Sequence, residues 1–327
     1  MTEGLDRRAY PAIVCEVGRA DGPRWRHALG TLTYNTDAPP CRESTVFDLA
    51  SLTKVIATTS LTMRAVRDGR LSLSSLVRDD ITVAHLLDHS SGLPAHRRLW
   101  ETVTTAVALR EAVLDVPQER PAGIQAVYSD IGFMTLGFLL EACMEAPLDQ
   151  QWRGVWPHAG DRLDFLQAPS TWSAIAPTER DSWRGRLLQG EVHDEHAALL
   201  GGVAAHSGLF GNAAAVGRFA ASVLESFHRE TWLATPSEMH QWACRRPVPG
   251  SSRALGWDTM LPTSSCGTRM SPTAIGHTGF TGTSLWIDWE RDCYVVILTN
   301  RVHPTRTNEV FVPMRARLHD AIAEDLA

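Results

Sequence analysis

The segment VFDLASLTKVIATTSLTMRAVRDGRL, residues 46–71, decides the fold. Its apolar residues take helical spacing, and Gly69 is a plausible C-cap. Ser51 precedes Lys54 by three residues at the start of this helix, so both side chains share one face. The helix N-terminus supplies N–H groups that stabilise a developing anion and disfavour an ammonium. We therefore expect a lowered pKa for Lys54, which suits a general base acting on Ser51.

Lys54 is the only lysine among the 31 lysines and arginines of the chain. A lysine amine can be made neutral by burial, whereas an arginine stays protonated. The ordinary explanation of S-x-x-K is a capping serine followed by a solvated lysine. Because Lys54 is the only lysine and lies on an otherwise apolar helix, the catalytic interpretation is as well supported as the ordinary one.

Strand patterns lie towards both ends of the chain, and helical patterns fill the middle. The strand patterns are a hairpin of residues 12–17 and 25–32 around Gly22-Pro23, and the runs 283–288 and 294–298 separated by WERD. The helical patterns include residues 131–145, a helix from an Asn212 cap to about Ser226, and about 307–325. They predict an α+β fold: an antiparallel sheet, built from strands of both termini and flanked by helices, with an inserted all-helical lobe.

We expect a single catalytic domain over residues 1–327. Its α/β lobe would comprise about 1–75 and 200–327, and its helical lobe about 76–199. A cleft between two such lobes is a favoured place for a site.

The composition excludes several classes of protein. The 327 residues are 44% hydrophobic and 21% charged, which excludes a disordered or fibrous chain. The net charge is -6 and no basic block occurs, so we expect no nucleic-acid or anionic-membrane partner.

The first residues, MTEGLDRRAYPAIV, show no secretory signal pattern, and no apolar run reaches the roughly 18 residues of a membrane span. The six cysteines form no CxxC pair, which favours reduced thiols and a cytoplasmic location.

Two further motifs carry candidate site residues. Tyr128 ends a loop before the helix at 131–145, where its phenol could relay a proton; a half-buried loop tyrosine is the alternative. His277, Thr278 and Gly279 precede the strand pattern at 283–288. A small residue at a strand edge lets a substrate approach closely, and the next N–H can point at an oxyanion, although an ordinary turn has the same sequence.

The order S-x-x-K, Y-S-x and H-T-G resembles the serine β-lactamase and penicillin-binding-protein superfamily, in particular its class C β-lactamase, D-alanyl carboxypeptidase and esterase branch. The resemblance covers most of the chain. It includes FDLASLTK (47–54), ITVAHLLDHSSGLP (81–94), YSDIGFMTLG (128–137), SGLFGNAAAVGRFA (207–220) and GHTGFTGTSLWID (276–288). It implies a β-lactamase/transpeptidase-like fold, an antiparallel sheet with flanking helices and a helical lobe.

The resemblance also implies roles for individual residues. Ser51 would be acylated, Lys54 would deprotonate it, and Tyr128 would act as base or acid. The backbone N–H groups of Ser51 and Phe280 would form the oxyanion hole. His277 would bind a substrate carboxylate or support Tyr128.

The chain departs from the family pattern at two positions. Asp130 stands where Asn is usual, and a carboxylate beside Lys54 would raise the pKa of the amine and oppose the base role. Either Asp130 is neutralised by pairing with His277, or it favours a cationic substrate group; our hypothesis is that it selects against anionic ligands such as β-lactams. His277 stands where β-lactamases usually carry Lys, so we expect an activity change between about pH 6 and 8 that His277→Lys removes.

The segment GEVHDEHA, residues 190–197, offers His193, Asp194, Glu195 and His196 as metal ligands. Its spacing matches no known zinc pattern, so we expect a loop that lines the pocket, without a metal or other cofactor. His89 and His206 are expected to be structural hydrogen-bonding residues.

The leading hypothesis is a serine hydrolase that cleaves an ester or amide of a small molecule or peptide through an acyl-serine intermediate. A carboxylesterase, or an amidase of small peptides or cell-wall fragments, fits a cytoplasmic chain best. Two alternatives stay open: a non-catalytic ligand-binding protein in which Asp130 has disabled Lys54, and a metal-dependent hydrolase built on His193 and His196. The sequence leaves the oligomeric state open.

Overall fold

A computed structural model describes residues 1–158 and 160–325. The strands, numbered in chain order, are β1 (Ala12–Arg19), β2 (Gly22–Gly30), β3 (Phe47–Asp48), β4 (Leu76–Arg78), β5 (Ile81–Thr82), β6 (Leu163–Asp164), β7 (Arg180–Asp181), β8 (Arg186–Leu187), β9 (Phe210–Gly211), β10 (Asp258–Thr259), β11 (Ile275–Thr278), β12 (Ser284–Asp288) and β13 (Cys293–Thr299). The α-helices are α1 (Thr2–Asp6), α2 (Thr59–Arg67), α3 (Val83–Leu87), α4 (Ala106–Leu114), α5 (Asp130–Met144), α6 (Leu148–Val155), α7 (Glu195–Leu199), α8 (Ala213–Ser226), α9 (Pro236–Ala243) and α10 (Phe311–Asp325).

The main sheet joins strands from both ends of the chain. Its order is β10-β11-β12-β13-β1-β2, and every neighbouring pair is antiparallel. β1 pairs centrally with β13, so that Val14 faces Leu298 across the ladder. The predicted α+β architecture, with an antiparallel sheet built from both termini, is confirmed.

The two faces of the sheet are covered by different helices because side chains alternate along each strand. Val14, Val296 and Leu298 belong to the larger core, on which α8 packs. Ile13 and Ile297, one residue away, belong to a second core that contains side chains of α1 and α10. The larger core continues into α4, α5 and α6, so the helical middle of the chain and the sheet share one apolar interior.

Most predicted elements have the expected positions. α5, α8, β12 and β13 agree with the sequence patterns, and the Asn212 side chain accepts from the Ala215 N–H as a cap. The hairpin turn lies at residues 20–21, so β2 already begins at Gly22. The last helix begins at Phe311, about four residues later than the pattern predicted. The division into lobes near residues 75 and 200 stays a prediction, but the segment 76–199 is not all-helical, because it also contains the short strands β4 to β8.

Among the described residues, no individual helix has both the length and the apolar composition to cross a membrane. Taken together as a bent pair, with 71° between them, α5 and α6 reach that length and apolar composition.

Candidate active site

Ser51 lies on a strained turn that follows a short strand. β3 ends at Asp48, and Ala50 takes a positive φ of 46°, a backbone conformation that costs a non-glycine residue about 1 kcal/mol or more. The buried Asp48 side chain holds this turn, because Oδ1 accepts from the Ala50 N–H at 2.8 Å. One π-helical segment, Lys54–Thr58, then leads into α2. The helix predicted over this segment therefore begins after Ser51, and the serine sits at its N-terminal entrance.

Ser51, Lys54 and Asp130 form a hydrogen-bonded chain. Lys54 Nζ donates to Ser51 Oγ at 3.0 Å, to Asp130 Oδ1 at 2.8 Å and to the His206 carbonyl oxygen at 3.1 Å. Lys54 is fully buried, and the Asp130 side chain is 21% exposed. The structure thus brings together the predicted nucleophile, the predicted base and the unusual carboxylate.

The expected lowered pKa of Lys54 is wrong. Burial acts to lower the pKa of Lys54, but the Asp130 carboxylate and Tyr128 outweigh burial and raise it. Burial likewise acts to raise the pKa of Asp130, and the Lys54 ammonium outweighs it and lowers that pKa. The predicted alternative that Asp130 pairs with His277 is wrong, because among the described residues the Asp130 carboxylate pairs with Lys54 and, at 3.8 Å, with His96. The pair is therefore an ammonium and a carboxylate in the resting protein.

Tyr128 lies over the Lys54 amine. Lys54 Nζ is 4.8 Å from the centre of the Tyr128 ring, and the Arg253 guanidinium is 5.3 Å from the same ring. Burial raises the pKa of Tyr128, whereas Lys54 and the Ser51 hydroxyl act in the opposite direction. The phenol is thus protonated at neutral pH, and Tyr128 lines the same cavity as Ser51.

His277 is a buried, neutral imidazole. Its Nδ1 donates to the Thr278 carbonyl oxygen at 2.8 Å, so Nε2 carries the lone pair, and Nε2 has no partner among the described residues. Burial, with Arg253 and Lys54, holds the pKa of His277 well below its usual value. The expected His277 titration between about pH 6 and 8 is therefore wrong. A neutral acceptor also suits a hydroxyl such as that of Tyr128, whose ring centre is 5.7 Å away, better than a substrate carboxylate.

The loop after β11 is fixed to the turn that carries Ser51. Thr281 Oγ1 donates to the Asp48 carbonyl oxygen at 2.7 Å, and Thr283 Oγ1 donates to the Leu49 carbonyl oxygen at 2.9 Å. A Cβ on Gly279 would come within 2.5 Å of the Leu49 oxygen, so the close approach requires glycine. The two threonines were missed in the sequence, although GFTGT contains both of them.

Two backbone N–H groups, one on the turn that carries Ser51 and one on the loop after β11, are free to bind an oxyanion. In the part of the chain that the structure describes, the N–H groups of Ser51 and Phe280 donate to no backbone or side-chain acceptor. Both residues line one cavity of about 550 Å³, together with Tyr128 and Asp130. This arrangement can hold a carbonyl carbon next to the Ser51 oxygen.

One wall of the cavity carries arginines that the sequence did not single out. Arg301 and Arg315 line it, are 5% and 7% exposed, and have no carboxylate within 4.0 Å among the described residues. The Nε atom of each is buried without an acceptor. Burial lowers the pKa of Arg315 to about 10. Arg315 lies in the RAR run of α10, where only the cavity distinguishes it from surface arginines.

The segment 190–197 lines the cavity, as expected, through His193, Asp194 and Glu195. His193 does not face His196, because His193 Nε2 pairs with Glu179 Oε2 at 2.9 Å and its ring stacks on Phe280. The metal centre built on His193 and His196 is therefore wrong.

The two histidines expected to be structural have different surroundings. His89 Nδ1 accepts from the Ser129 N–H at 3.0 Å, so His89 is structural. His206 Nε2 pairs with Asp194 at 2.8 Å, and His206 also lines the cavity.

A serine hydroxyl beside a buried lysine amine, with free N–H groups at the same cavity, can carry out acyl transfer. Fold and site together define a serine hydrolase. The chain belongs to the Beta-lactamase family, whose model matches residues 1–311.

Similar proteins agree with this assignment. A putative D-alanyl-D-alanine carboxypeptidase of Salmonella agona (strain SL483) is 28% identical over 314 residues, which cover 81% of this chain and 71% of that protein. Simvastatin synthase from Aspergillus terreus superposes with a TM-score of 0.76 at 18% identity, over 99% of this chain and 96% of that one. EstCE1, a hydrolase with promiscuous acyltransferase activity, superposes with a TM-score of 0.73 at 17% identity, over 96% of both chains. The two structures show the same fold as this chain.

Proposed function

We propose that the chain hydrolyses an amide or ester bond through an acyl intermediate on Ser51. The observation that carries the proposal is the 3.0 Å contact between Ser51 Oγ and the buried Lys54 Nζ, at a cavity lined by Ser51 and Phe280. A hydroxyl this close to an amine can transfer its proton while it attacks a carbonyl carbon.

In the proposed cycle, each step uses a group that contacts Ser51 or lines the cavity. The amine form of Lys54 takes the Ser51 proton as the Oγ–C bond forms, and the carbonyl becomes an oxyanion held by the N–H groups of Ser51 and Phe280. The oxyanion collapses, the bond to the leaving group breaks, and the leaving group takes the proton through Tyr128. Water then attacks the acyl-serine with the same groups in reverse roles and releases the acid and Ser51.

Asp130 sets the protonation state in which this cycle starts. Because the carboxylate raises the pKa of Lys54, the amine form is scarce at neutral pH and grows with rising pH. Asp130 thus reduces the fraction of Lys54 in the amine form, while Lys54 Nζ stays at 3.0 Å from Ser51 Oγ.

The buried arginines support a proposal for the substrate class. Arg301 Nη1 donates to the Asn308 carbonyl oxygen at 2.7 Å, but neither guanidinium has a carboxylate partner among the described residues. An anionic group is favoured beside such a buried cation, and planar carboxylates match the geometry of a guanidinium. We therefore propose a substrate that carries a carboxylate near Arg301 and Arg315. This revises our hypothesis that the site rejects anions, since the Asp130 charge is neutralised by Lys54. A small peptide or cell-wall fragment with a free carboxyl terminus fits, and the Salmonella relative is named a putative D-alanyl-D-alanine carboxypeptidase.

A matched pair of substrates tests this proposal. We expect an N-acylated D-alanyl-D-alanine peptide with a free carboxyl terminus to be cleaved with a higher kcat/KM than its C-terminal amide. Arg315→Gln should reduce that preference about tenfold or more, since a charged hydrogen bond contributes about 1.5–3 kcal/mol. Arg153→Gln, a surface control, should retain it. Equal rates on both peptides in the wild type, or an unchanged preference in Arg315→Gln, would exclude the carboxylate subsite.

The same steps serve a carboxylesterase, so p-nitrophenyl esters with and without a carboxylate belong in the same panel. We also propose a cytoplasmic location. It is supported by the six cysteines, which form no disulfide in the structure.

A further inference from the structure

A cluster of two histidines and one aspartate lies beside the catalytic groups. Asp194, His196 and His206 each offer one ligand atom, and these atoms lie within 4.8 Å of one another. His206 Nε2 is already 2.8 Å from Asp194 Oδ1. In a tetrahedral zinc site with bonds of about 2.0–2.1 Å, neighbouring ligand atoms lie about 3.3 Å apart. Small side-chain rotations would therefore bring the three atoms around one ion.

The hydrogen bonding of the cluster is incomplete. His196 is fully buried, and both of its ring nitrogens lack a partner among the described residues. His206 is also buried, and its Nδ1 lacks a partner there too. Buried polar atoms normally have a partner, so two neighbouring imidazoles, with ring centres 6.2 Å apart and three nitrogens without one, require an explanation.

We propose that Asp194, His196 and His206 bind a divalent transition-metal ion of the Zn²⁺ type. Two imidazoles and one carboxylate suit Zn²⁺, Ni²⁺ or Cu²⁺, whereas Mg²⁺ and Ca²⁺ prefer oxygen ligands alone. Three protein ligands leave one position of a tetrahedral ion open.

The position of the cluster gives the ion a place in the cavity. Asp194 and His206 both line the cavity of Ser51, and the His206 carbonyl oxygen accepts from Lys54 Nζ. An ion held by these residues would therefore border the cavity, and its open position would take water or an oxygen or nitrogen donor. Lys54 stays the group closest to Ser51, so the ion adds a binding point rather than a second nucleophile.

Calorimetric titration of the full chain, stripped with EDTA and dialysed, tests the proposal. We expect one Zn²⁺ per chain and no binding of Mg²⁺. His196→Gln should weaken Zn²⁺ binding about 100-fold or more, because loss of a direct ligand exceeds the 10–100-fold typical of residues behind the ligands. His228→Gln, an exposed histidine outside the cluster, should bind Zn²⁺ like the wild type.

Co²⁺ keeps the test decisive if His196→Gln does not fold. The wild-type chain should give the intense visible absorption of four-coordinate Co²⁺, and Zn²⁺ should abolish it. No stoichiometric binding by the wild type, or equal Zn²⁺ affinity in folded His196→Gln, would overturn the proposal. Neither readout involves turnover, so its failure would leave the acyl-serine mechanism standing.

Discussion

The hydrogen bonds that Lys54 donates to Ser51 and Asp130 are the feature on which the chemistry of this site depends. Lys54 is buried, and burial by itself acts to lower the pKa of its amine, because a buried position disfavours an ammonium. Asp130 reverses that preference through a 2.8 Å contact. A single carboxylate thus decides at which pH the amine can accept the serine proton.

Asp130→Asn should make Lys54 a better base at neutral pH. Removing the carboxylate leaves burial as the dominant influence, so the pKa of Lys54 falls and the amine form is present at lower pH. We expect the rising limb of kcat/KM for a p-nitrophenyl ester to move by at least about one pH unit towards acid. Asp21→Asn, an exposed aspartate paired with Arg24, is the control and should leave the limb in place. An unmoved limb in Asp130→Asn would show that Asp130 does not control the base.

At the scale of elements, α5 carries Asp130 at its first position and depends on the cap before it. Ser129 Oγ accepts from the Gly132 N–H at 3.0 Å and donates to the Pro94 carbonyl oxygen at 2.6 Å. Its hydroxyl is therefore occupied by the helix and the neighbouring loop rather than by the substrate.

Ser129→Ala should lower stability far more than it lowers catalysis. Loss of the cap should reduce the free energy of unfolding by about 1–2 kcal/mol, measured by urea denaturation. The kcat should fall much less than in Ser51→Ala. Thr105→Ala removes the cap of α4 and provides the matched control for stability. A Ser129→Ala variant as inactive as Ser51→Ala would assign Ser129 to the reaction.

Gly279→Ala tests how closely the loop after β11 must approach the serine turn. The added Cβ would collide with Leu49 and Thr283, and the loop with the Phe280 N–H would move away. A displacement of about 1 Å typically reduces a rate about 100-fold, so the rate of Ser51 acylation should fall by that order. Gly154→Ala lies in α6 with open space around it, and should retain the rate and gain up to about 1 kcal/mol of stability. Normal acylation by folded Gly279→Ala would contradict the proposed oxyanion hole.

Local sequence patterns predicted the longer elements but missed the shortest strand of the main sheet and the turn before Ser51. Alternating or helical spacing located β12, β13, α5 and α8, because each pattern repeats within one short segment. β10 was not predicted, since a strand of two residues contains no period to detect. The turn at Ala50 was also missed, because nothing local indicates a positive φ at an alanine.

At the scale of the molecule, buried histidines make stability depend on pH. His319 on α10 is fully buried, with Nε2 2.8 Å from Ser284 Oγ on β12. Burial, with Arg315, lowers the pKa of His319 to about 3, whereas an unfolded histidine titrates near 6.5. Below pH 6.5 the unfolded chain therefore binds a proton that the folded chain refuses, and stability falls as the pH decreases towards 3.

His319→Gln should weaken this dependence. Between pH 7.5 and pH 5, His319 should account for about 2 kcal/mol of the loss in unfolding free energy, and the variant should lack that share. Urea denaturation at both pH values measures it, with the exposed His228→Gln as the control. Equal losses in His319→Gln and the wild type would show that His319 is not held neutral.

The site was predictable where a motif is local and unpredictable where distant segments meet. Ser51 and Lys54 are three residues apart, and their contact follows from helix geometry. Thr281 contacts Asp48 across 233 residues. Arg301, which follows β13, and Arg315, which lies on α10, line the same cavity only in the folded chain. The sequence indicates that the Asp130 carboxylate would raise the pKa of Lys54, but it does not show whether this effect exceeds that of burial. The predicted direction of the Lys54 pKa shift was therefore wrong.

The most direct test of the account is intact-mass spectrometry after a fluorophosphonate probe. We predict one adduct per chain in the wild type, no adduct in Ser51→Ala, and a retained adduct in Ser129→Ala. An adduct that persists in Ser51→Ala, or its absence from folded wild-type protein, would contradict the assignment of Ser51 as the nucleophile.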